Sequence, residues 1–556
     1  MAEKTILKID AKQLKQTLNF EGDIQDDEKI LEDFSHDASF FEIKPEFVAY
    51  PKTILDIQRI VSFAAAQKQA GQNISITARS AGTDMSGGPL SQSIILEFTK
   101  YFNHIGMVSS EAGETEPGVF YRDFEKETLK YGALVPSYPA SRELCTVGGM
   151  VANNSGGEKT LAYGKTEDYI LELHCVLSDG SECVFKPLNE QELQEKMRLQ
   201  NFEGEIYRKI HKLISENEEA LLAAKPKVSK NSAGYYLWNV RDKTSGIFNL
   251  NKLIAGSQGT LAIITKIKFR LVPQTKNSKL VTIFLKDLSN LAEIVNVVLP
   301  YKPESFESYD DNTLKMAMKF LPDIFKLMKE NIFRLAIQFL PEFEMLLSGG
   351  MPKLVLMAEF TGNDEAEIDA RIAKVTEALK KFRVPVHVTK NEEETKKYWT
   401  IRRESFNLLR HHIKGKRTAP FIDDIIVRPE HLPEFLPQLN AILNQYNIIY
   451  TIAGHVGDGN FHIIPLMDFK DAHTAQIIPE LSKKVYDLVL QYHGSITAEH
   501  NDGLVRSPYL KQMYGEKIYA LFEETKRIFD PLDILNPGKK VGSSLEFSLK
   551  HIVKTS

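Results

Sequence analysis

Three glycine-rich stretches, each joined to a β-rich run, most constrain what this chain can fold into. "RSAGTDMSGGPL" (79–90) follows the alternating run "ISITAR" (74–79) and precedes the buried-strand pattern "SIILEF" (93–98). "TVGGMVANNSGGEKTLAYGKTEDYI" (146–170) leads into "YILELHCVLSDGSECVF" (169–185), where Asp179-Gly180 predicts a hairpin turn. "GSQGTLAIIT" (256–265) joins a glycine turn to a strand that runs on as "LAIITKIKFRLVP" (261–273). Glycines and small hydroxyl residues let backbone N–H groups turn toward an anion. None of the three reads G-x-G-x-x-G, and no G-K-[ST] makes a Walker loop. One such loop would be an ordinary turn. Three, each beside a strand, predict a long phosphate-bearing cofactor lying in the domain.

At 556 residues the chain exceeds one ordinary core, and two large domains are expected. Residues 1–40 read as a charged helical segment closing on "FSHDAS", and 41–275 as the cofactor domain. Within the latter, "TILDIQRIVSFAAAQKQ" (53–69) is apolar at helical spacing with Thr53 as its N-cap. Beyond Pro273 the texture changes. "KLVTIFLKDLSNLAEIVNVVL" (279–299) and "KLVLMAEFTGNDEAEIDARIAKVTEALKKF" (353–382) each read strand then helix, predicting a second α+β domain on an antiparallel sheet over 276–529. Residues 530–556 form a tail containing "ILNPGKK".

Composition excludes several classes. Hydrophobic content of 43% with 26% charge is that of a soluble globular protein, and a net charge of −5 argues against nucleic-acid binding. Cys145, Cys175 and Cys183 form no C-x-x-C pair, so neither a cysteine zinc site nor an iron–sulfur cluster is expected. The N-terminus "MAEKTILKIDAKQLKQ" lacks an apolar signal core, and no run reaches the roughly 18 apolar residues of a membrane span, so a cytoplasmic location is expected. The Met-, Phe- and Leu-rich stretch 313–347 is helical in pattern, broken at Pro322 and Pro341. Its plain reading is a pair of helices packed on the second domain. Its sharper reading is a peripheral contact with the inner face of a membrane or with an electron-accepting partner.

"GHVGDGNFH" (454–462) sets two histidines six residues apart around Gly457, Asp458 and Gly459, which a helix would not tolerate cheaply. A turn can bring the two imidazoles toward one point, and "TAEHNDG" (497–503) adds Glu499 beside His500. Two neutral imidazoles and a carboxylate suit a divalent ion such as zinc, iron or manganese.

Taken together, "GTDMSGGPL", "TVGGMVANNSGG", "GSQGTLAIIT", "GHVGDGNFH" and "AEH" (498–500), in this order, identify a resemblance to the FAD-linked D-2-hydroxyacid dehydrogenases. That family includes D-lactate dehydrogenases, the glycolate oxidase FAD subunit and D-2-hydroxyglutarate dehydrogenase, within the vanillyl-alcohol oxidase / p-cresol methylhydroxylase superfamily. The resemblance runs from "FSHDAS" to "LNPGKK". It implies an α+β chain: a two-part FAD-binding domain of the p-cresol methylhydroxylase type, a substrate (cap) domain, and a tail returning to the FAD domain. The first loop would wrap the pyrophosphate through Arg79, Ser80, Gly82, Thr83, Asp84, Met85, Ser86 and Gly87. Ser141, Thr146, Gly148, Gly149, Asn153, Ser155 and Gly156 would line the pyrophosphate and isoalloxazine, joined by Gly259, Thr260, Ile264 and Asn536. No histidine stands in "GTDMSGG", so the FAD is expected to be held non-covalently.

The resemblance further implies His455, His462 and Glu499 as metal ligands, His500 as catalytic base, and Arg402 of "YWTIRRES" (398–405) as clamp for the substrate carboxylate. The expected reaction takes a D-lactate-like 2-hydroxy acid to the 2-oxo acid by hydride transfer to flavin. Electrons then pass to a separate quinone, cytochrome or electron-transfer protein; an oxygen-using oxidase and the FAD subunit of a larger complex are the alternatives. A homodimer is compatible with the sequence. Three departures stand out. Asp84 replaces a neutral residue, and a carboxylate there would repel a pyrophosphate unless turned to solvent. Asn501 replaces the glycine after the family's E-H, a larger neighbour for the base. Phe421 and Ile422 stand before Asp424 where some relatives carry a lysine for a second substrate carboxylate, although Lys414, Lys416 and Arg417 lie near.

Overall fold

The computed structural model describes residues 9–319, 350–412, 415–471 and 473–554, with side chains described except over 404–412. Three sheets organise them. Strands Phe47–Tyr50, Ile94–Glu97 and Ile76–Arg79 pair in parallel, with Asp23–Gln25 antiparallel at one edge. Burial on both faces explains the unbroken apolar run of the central strand. Helix Ile54–Gln69 covers this sheet. Thr53 caps it, and Asp56 closes a reciprocal capping box.

The second sheet is antiparallel, in the order Ile105–Val108, Ala112–Thr115, Ile263–Arg270, Ile170–Val176, Glu182–Phe185. Gly180 takes φ +83° at the expected hairpin turn. The N-terminal segment is more than helical. Besides helices Ala11–Leu18 and Glu28–Asp33 it donates the edge strand Asp23–Gln25 to the first sheet. The C-terminal residues pack on the same part of the molecule: Leu535 bridges Ile76, and Ile552 bridges Phe41.

The third sheet is antiparallel throughout, in the order Val386–Val388, Asn277–Leu285, Leu354–Gly362, Ser305–Asp310, Ile452–His455, Asn460–Ile463, Ile425–Ile426. Its period-2 alternation buries both faces. Val281, Ile283, Leu354 and Leu356 join the main core, where Ile294, Ile368 and Phe435 pack from three helices. Leu280, Phe284, Val355, Met357 and Tyr309 point the other way, onto helix Glu392–His412 through Tyr398, Trp399 and Ile401. Of the stretch 313–347, only 313–319 falls within the described residues. It ends helix Asp311–Lys319 and packs by Leu314 and Ala317 on that second face. Among the described residues no helix is long and apolar enough to cross a membrane.

Candidate active site

Strand register decides where the histidines point. Ile452–His455 and Asn460–Ile463 form a hairpin in which Ala453 opposes His462, so His455 and His462 flank Ala453 on one face. Ala453 also opposes Tyr309, which places Glu307 on that same face. The glycines therefore serve close approach rather than looseness. A Cβ on Gly454 would stand 2.1 Å from the Asn460 carbonyl oxygen, and one on Gly459, at φ +75°, 1.8 Å from that of Val427.

Each imidazole is oriented from behind. His455 Nδ1 lies 2.5 Å from Glu307 Oε1, and His462 Nδ1 lies 3.2 Å from Asp423 Oδ1. Carboxylates only accept, so each Nδ1 carries a hydrogen, and each Nε2 is the atom that could face an ion. His455 Nε2 then stands 3.3 Å from His462 Nε2 and 3.4 Å from Glu499 Oε2. Two donors held about 2.1 Å from a tetrahedral ion would be about 3.4 Å apart. The residues present fit a divalent ion, with the carboxylate–histidine support such sites use.

Glu499 and His500 are placed by Asp424, which sits at φ +67°. Its Oδ2 accepts from the Thr497 hydroxyl (2.6 Å) and from the backbone N–H groups of Glu499 (2.8 Å) and His500 (2.7 Å). One donor atom each from Asp424, His462, Glu499 and His500 also fits within 4.8 Å. Asp424, however, is already committed to the loop, and His500 Nδ1 faces Asp423 Oδ2 at 2.8 Å. The His500 ring stacks on His462 with centroids 5.0 Å apart. Lys230, fully enclosed, donates to Glu499 Oε1 at 2.6 Å and pairs with Asp458 at 3.1 Å. Arg402 Nη2 lies 3.1 Å from Glu307 Oε2.

The charges do not balance. Among the described residues, the carboxylates Glu307, Asp423, Asp424, Asp458 and Glu499 gather with Lys230, Arg402, Arg506 and the buried Lys165 as cations. Burial pulls the His455 pKa down, but Glu307 and Glu499 together push it up to about 9. Burial likewise disfavours charge on His500, and Asp423 with Asp424 push it up to about 9. Glu499 is raised by burial yet held well below the carboxylate range, chiefly by Lys230 and His455. Two imidazoles whose pKa is raised despite burial mark a site with an excess of negative charge.

A cavity of about 540 Å³ joins this cluster to the glycine loops. Arg79, Ser80, Gly82, Thr83, Asp84 and Met85 line it from the first loop, and Ser141, Thr146, Gly148, Gly149, Asn153, Ser155 and Gly156 from the second. Gly259, Ile264, Arg402, His455, His462, Glu499 and His500 complete the expected set on its wall. Ser86, Gly87, Thr260 and Asn536 do not line it. Ser86 and Gly87 are drawn back by Asp84 and Asp37, the Thr260 hydroxyl serves the Ser257 carbonyl and Tyr235, and Asn536 donates to the carbonyls of Gly88 and Gln258. They brace the wall from behind.

Asp84 does not turn to solvent either. Its Oδ2 accepts from Ser86 N–H (3.0 Å), the Ser86 hydroxyl (2.7 Å) and Gly88 N–H (2.8 Å), and its Oδ1 from Asn153 (2.8 Å). The carboxylate is spent shaping its own loop. Asn501 has the glycine-like φ of +69° its position requires, and its amide ties the carbonyls of Asn153 and Gly256 together. Phe421 and Ile422 are buried core residues. Glu307, Asp423, Asp458 and Lys230 were not singled out from sequence. "FIDDIIV" (421–427) did hold a paired-acid signal, but nothing local marks Glu307 or Lys230.

Residues 45–201 match the family described as "FAD binding domain", and 274–540 that described as "FAD linked oxidases, C-terminal domain". The chain is 27% identical over 527 residues to D-2-hydroxyglutarate dehydrogenase of Pseudomonas putida, covering 94% of this chain and 50% of that protein. It therefore spans about half the length of that relative. It is 26% identical over 529 residues to D-lactate dehydrogenase of Archaeoglobus fulgidus, covering 92% of this chain and 98% of that one. The crystal structure of p-cresol methylhydroxylase with substrate bound superposes with TM-score 0.64 at 16% identity, covering 93% of each chain, which shows a shared fold. The chain therefore carries an FAD-binding domain leading into an FAD-linked-oxidase C-terminal domain on that α+β fold, and is similar over more than nine-tenths of its length to these FAD-linked relatives.

Proposed function

We propose that this chain oxidises a D-lactate-like 2-hydroxy acid to the 2-oxo acid, using non-covalently held FAD and a divalent ion, zinc, iron or manganese. The observation that carries the reading is the convergence of His455 Nε2, His462 Nε2 and Glu499 on one wall of the cavity whose other wall is the glycine loops. Those three residues would hold the ion. When bound, FAD supplies a two-electron acceptor for the α-hydrogen, and the ion supplies Lewis acidity that makes the substrate hydroxyl easier to deprotonate. Arg402 engages the substrate carboxylate with its planar fork, and Glu307 steadies that guanidinium from behind. His500 accepts the hydroxyl proton at Nε2, since its Nδ1 edge is turned to the Asp423 carboxylate. Asp424 keeps His500 and Glu499 in register by gripping both backbone N–H groups. Electrons leave to a separate acceptor such as a quinone, cytochrome or electron-transfer protein.

The test is anaerobic mixing of the purified flavoprotein with D- and L-2-hydroxy acids, before and after a chelator. Bleaching of the flavin by D-acids, lost on chelation and restored by a divalent ion, is expected. Bleaching by L-acids alone, or bleaching indifferent to the chelator, overturns the stereochemistry or the ion respectively. Acid precipitation should leave all the flavin in the supernatant; yellow colour in the pellet overturns non-covalent binding. Steady peroxide formation in air would favour the oxidase alternative.

A further inference from the structure

Three arginines among the described residues line the cavity, and each is already engaged. Arg79 belongs to the first glycine loop and donates to the carbonyls of Phe34 (3.0 Å) and His36 (2.6 Å). Arg402 pairs with Glu307 and is the clamp for the substrate's own carboxylate. Arg403, the next residue of helix Glu392–His412, turns to the glycine-loop side instead. Its Nη2 contacts both oxygens of Glu158, at 2.6 and 2.5 Å, and its guanidinium packs 4.6 Å from the Trp399 ring. Glu158 follows Gly156 and Gly157 of the second glycine stretch, so this pair spans the cavity between the two halves of the molecule. Around it Lys159 pairs with the buried Glu304 at 3.1 Å, and the half-buried Glu359 lies beside Glu304. Three carboxylates thus face two cations.

We propose that Glu158 makes this a monocarboxylate site: by holding Arg403, it denies a second substrate carboxylate the one wall cation among the described residues that could receive it. The inference rests on the reading of the cavity as a 2-hydroxy-acid site clamped by Arg402. A distal carboxylate reaching Arg403 must displace Glu158 or lie beside it, and either arrangement sets like charges together in a region already short of positive charge. A methyl or other uncharged side chain pays neither cost. Discrimination here comes from repulsion of the wrong substrate rather than from an added contact with the right one. Of Lys414, Lys416 and Arg417, which sequence suggested as stand-ins for the lysine of some relatives, Lys414 lies outside the described residues, and Lys416 and Arg417 are not on the cavity wall, although the adjoining Thr418 is.

The experiment measures anaerobic flavin bleaching against concentration of D-lactate and of D-2-hydroxyglutarate, in the wild-type flavoprotein and in Glu158→Gln, Glu158→Ala and Arg403→Met. Limiting rate and half-saturating concentration are read separately. The wild type should favour the monoacid. Glu158→Gln should shift the ratio toward the diacid by about fivefold or more, as expected for freeing one partly exposed arginine. That gain should sit in the diacid's half-saturating concentration, a direction that structural damage would not produce. Arg403→Met should give no such gain. A wild type that prefers the diacid, with that preference lost in Arg403→Met, overturns the proposal; so does an unmoved ratio in both Glu158 variants. Bleaching by neither acid overturns the parent reading and this inference with it, whereas bleaching by both with the wrong ratio overturns this inference alone.

Discussion

The glycine cradle and the imidazole–carboxylate cluster face one cavity but are built by opposite means. The cradle presents backbone. At Gly148 a Cβ would stand 2.5 Å from the Pro117 side chain, and Gly82, Gly259 and Gly256 hold positive φ. Its polar side chains turn to one another instead: Gln258 donates to Ser86 and Asn153, and Asn153 to Asp84. The cluster presents side chains, drawn from positions as far apart as Lys230, Glu307, Asp423 and Glu499, nearly all buried and charged. A phosphate can be held by N–H groups that any sequence supplies, provided the chain is free to approach. An ion site needs particular side chains and an uncompensated charge. Damage to one should therefore spare the other.

The sharpest test of that separation is His455→Ala. It should lower flavin reduction by on the order of a thousandfold and remove the bound ion, while the protein stays yellow with an unchanged flavin-to-protein ratio. Loss of flavin would break the comparison. Asp423→Asn comes next. The amide can no longer support both His462 and His500, and a drop of roughly 10–100-fold in ion affinity or limiting rate is expected from isothermal titration and stopped-flow absorbance.

On the cradle side the effects are smaller and of the other kind. Asp84→Asn loses acceptor capacity toward Ser86 and Gly88 and should loosen FAD by about tenfold in fluorescence titration, with ion content unaffected. Gly259→Ala should be the mildest. Its neighbour Ala78 lies 3.7 Å away, so the cost is the positive φ alone, about 1 kcal/mol, seen as a melting shift of a few degrees in the FAD-loaded protein. A larger loss of ion than of FAD in either variant would blur the distinction.

The two regions also differed in how far they could be read in advance. The glycine loops are contiguous, so their turn chemistry stood in the sequence, as did the strand-then-helix units beyond Pro273 and the Thr53 cap. What the loops did not reveal is which of their residues reach the cavity wall. Ser86, Gly87, Thr260 and Asn536 carry the right chemistry but stand one layer behind the wall, and Asp84 points into its own loop rather than to solvent. The histidines announced themselves by spacing, and the expected turn is there, over 456–459, joining the two strands that carry them. They lie on paired strands in the interior of a seven-stranded sheet, and their glycines are required by backbone crowding. Glu307 and Lys230 were silent because each acts across more than a hundred residues of chain.

The sequence by itself determined the period-2 and helical patterns, the positions where only glycine could pass, and the residue types able to bind an anion or an ion. These are properties of neighbours along the chain, set by sterics and hydrogen-bonding capacity over a few residues. Only the tertiary structure decided which carboxylate backs which imidazole, and that Arg402 and Arg403, adjacent in sequence, reach Glu307 and Glu158 on opposite sides of one cavity. It also decided that the gathered charges fall short of balance. Charge pairing acts through space and strengthens with burial, so its outcome is fixed by the packing that brings distant residues together rather than by their order along the chain.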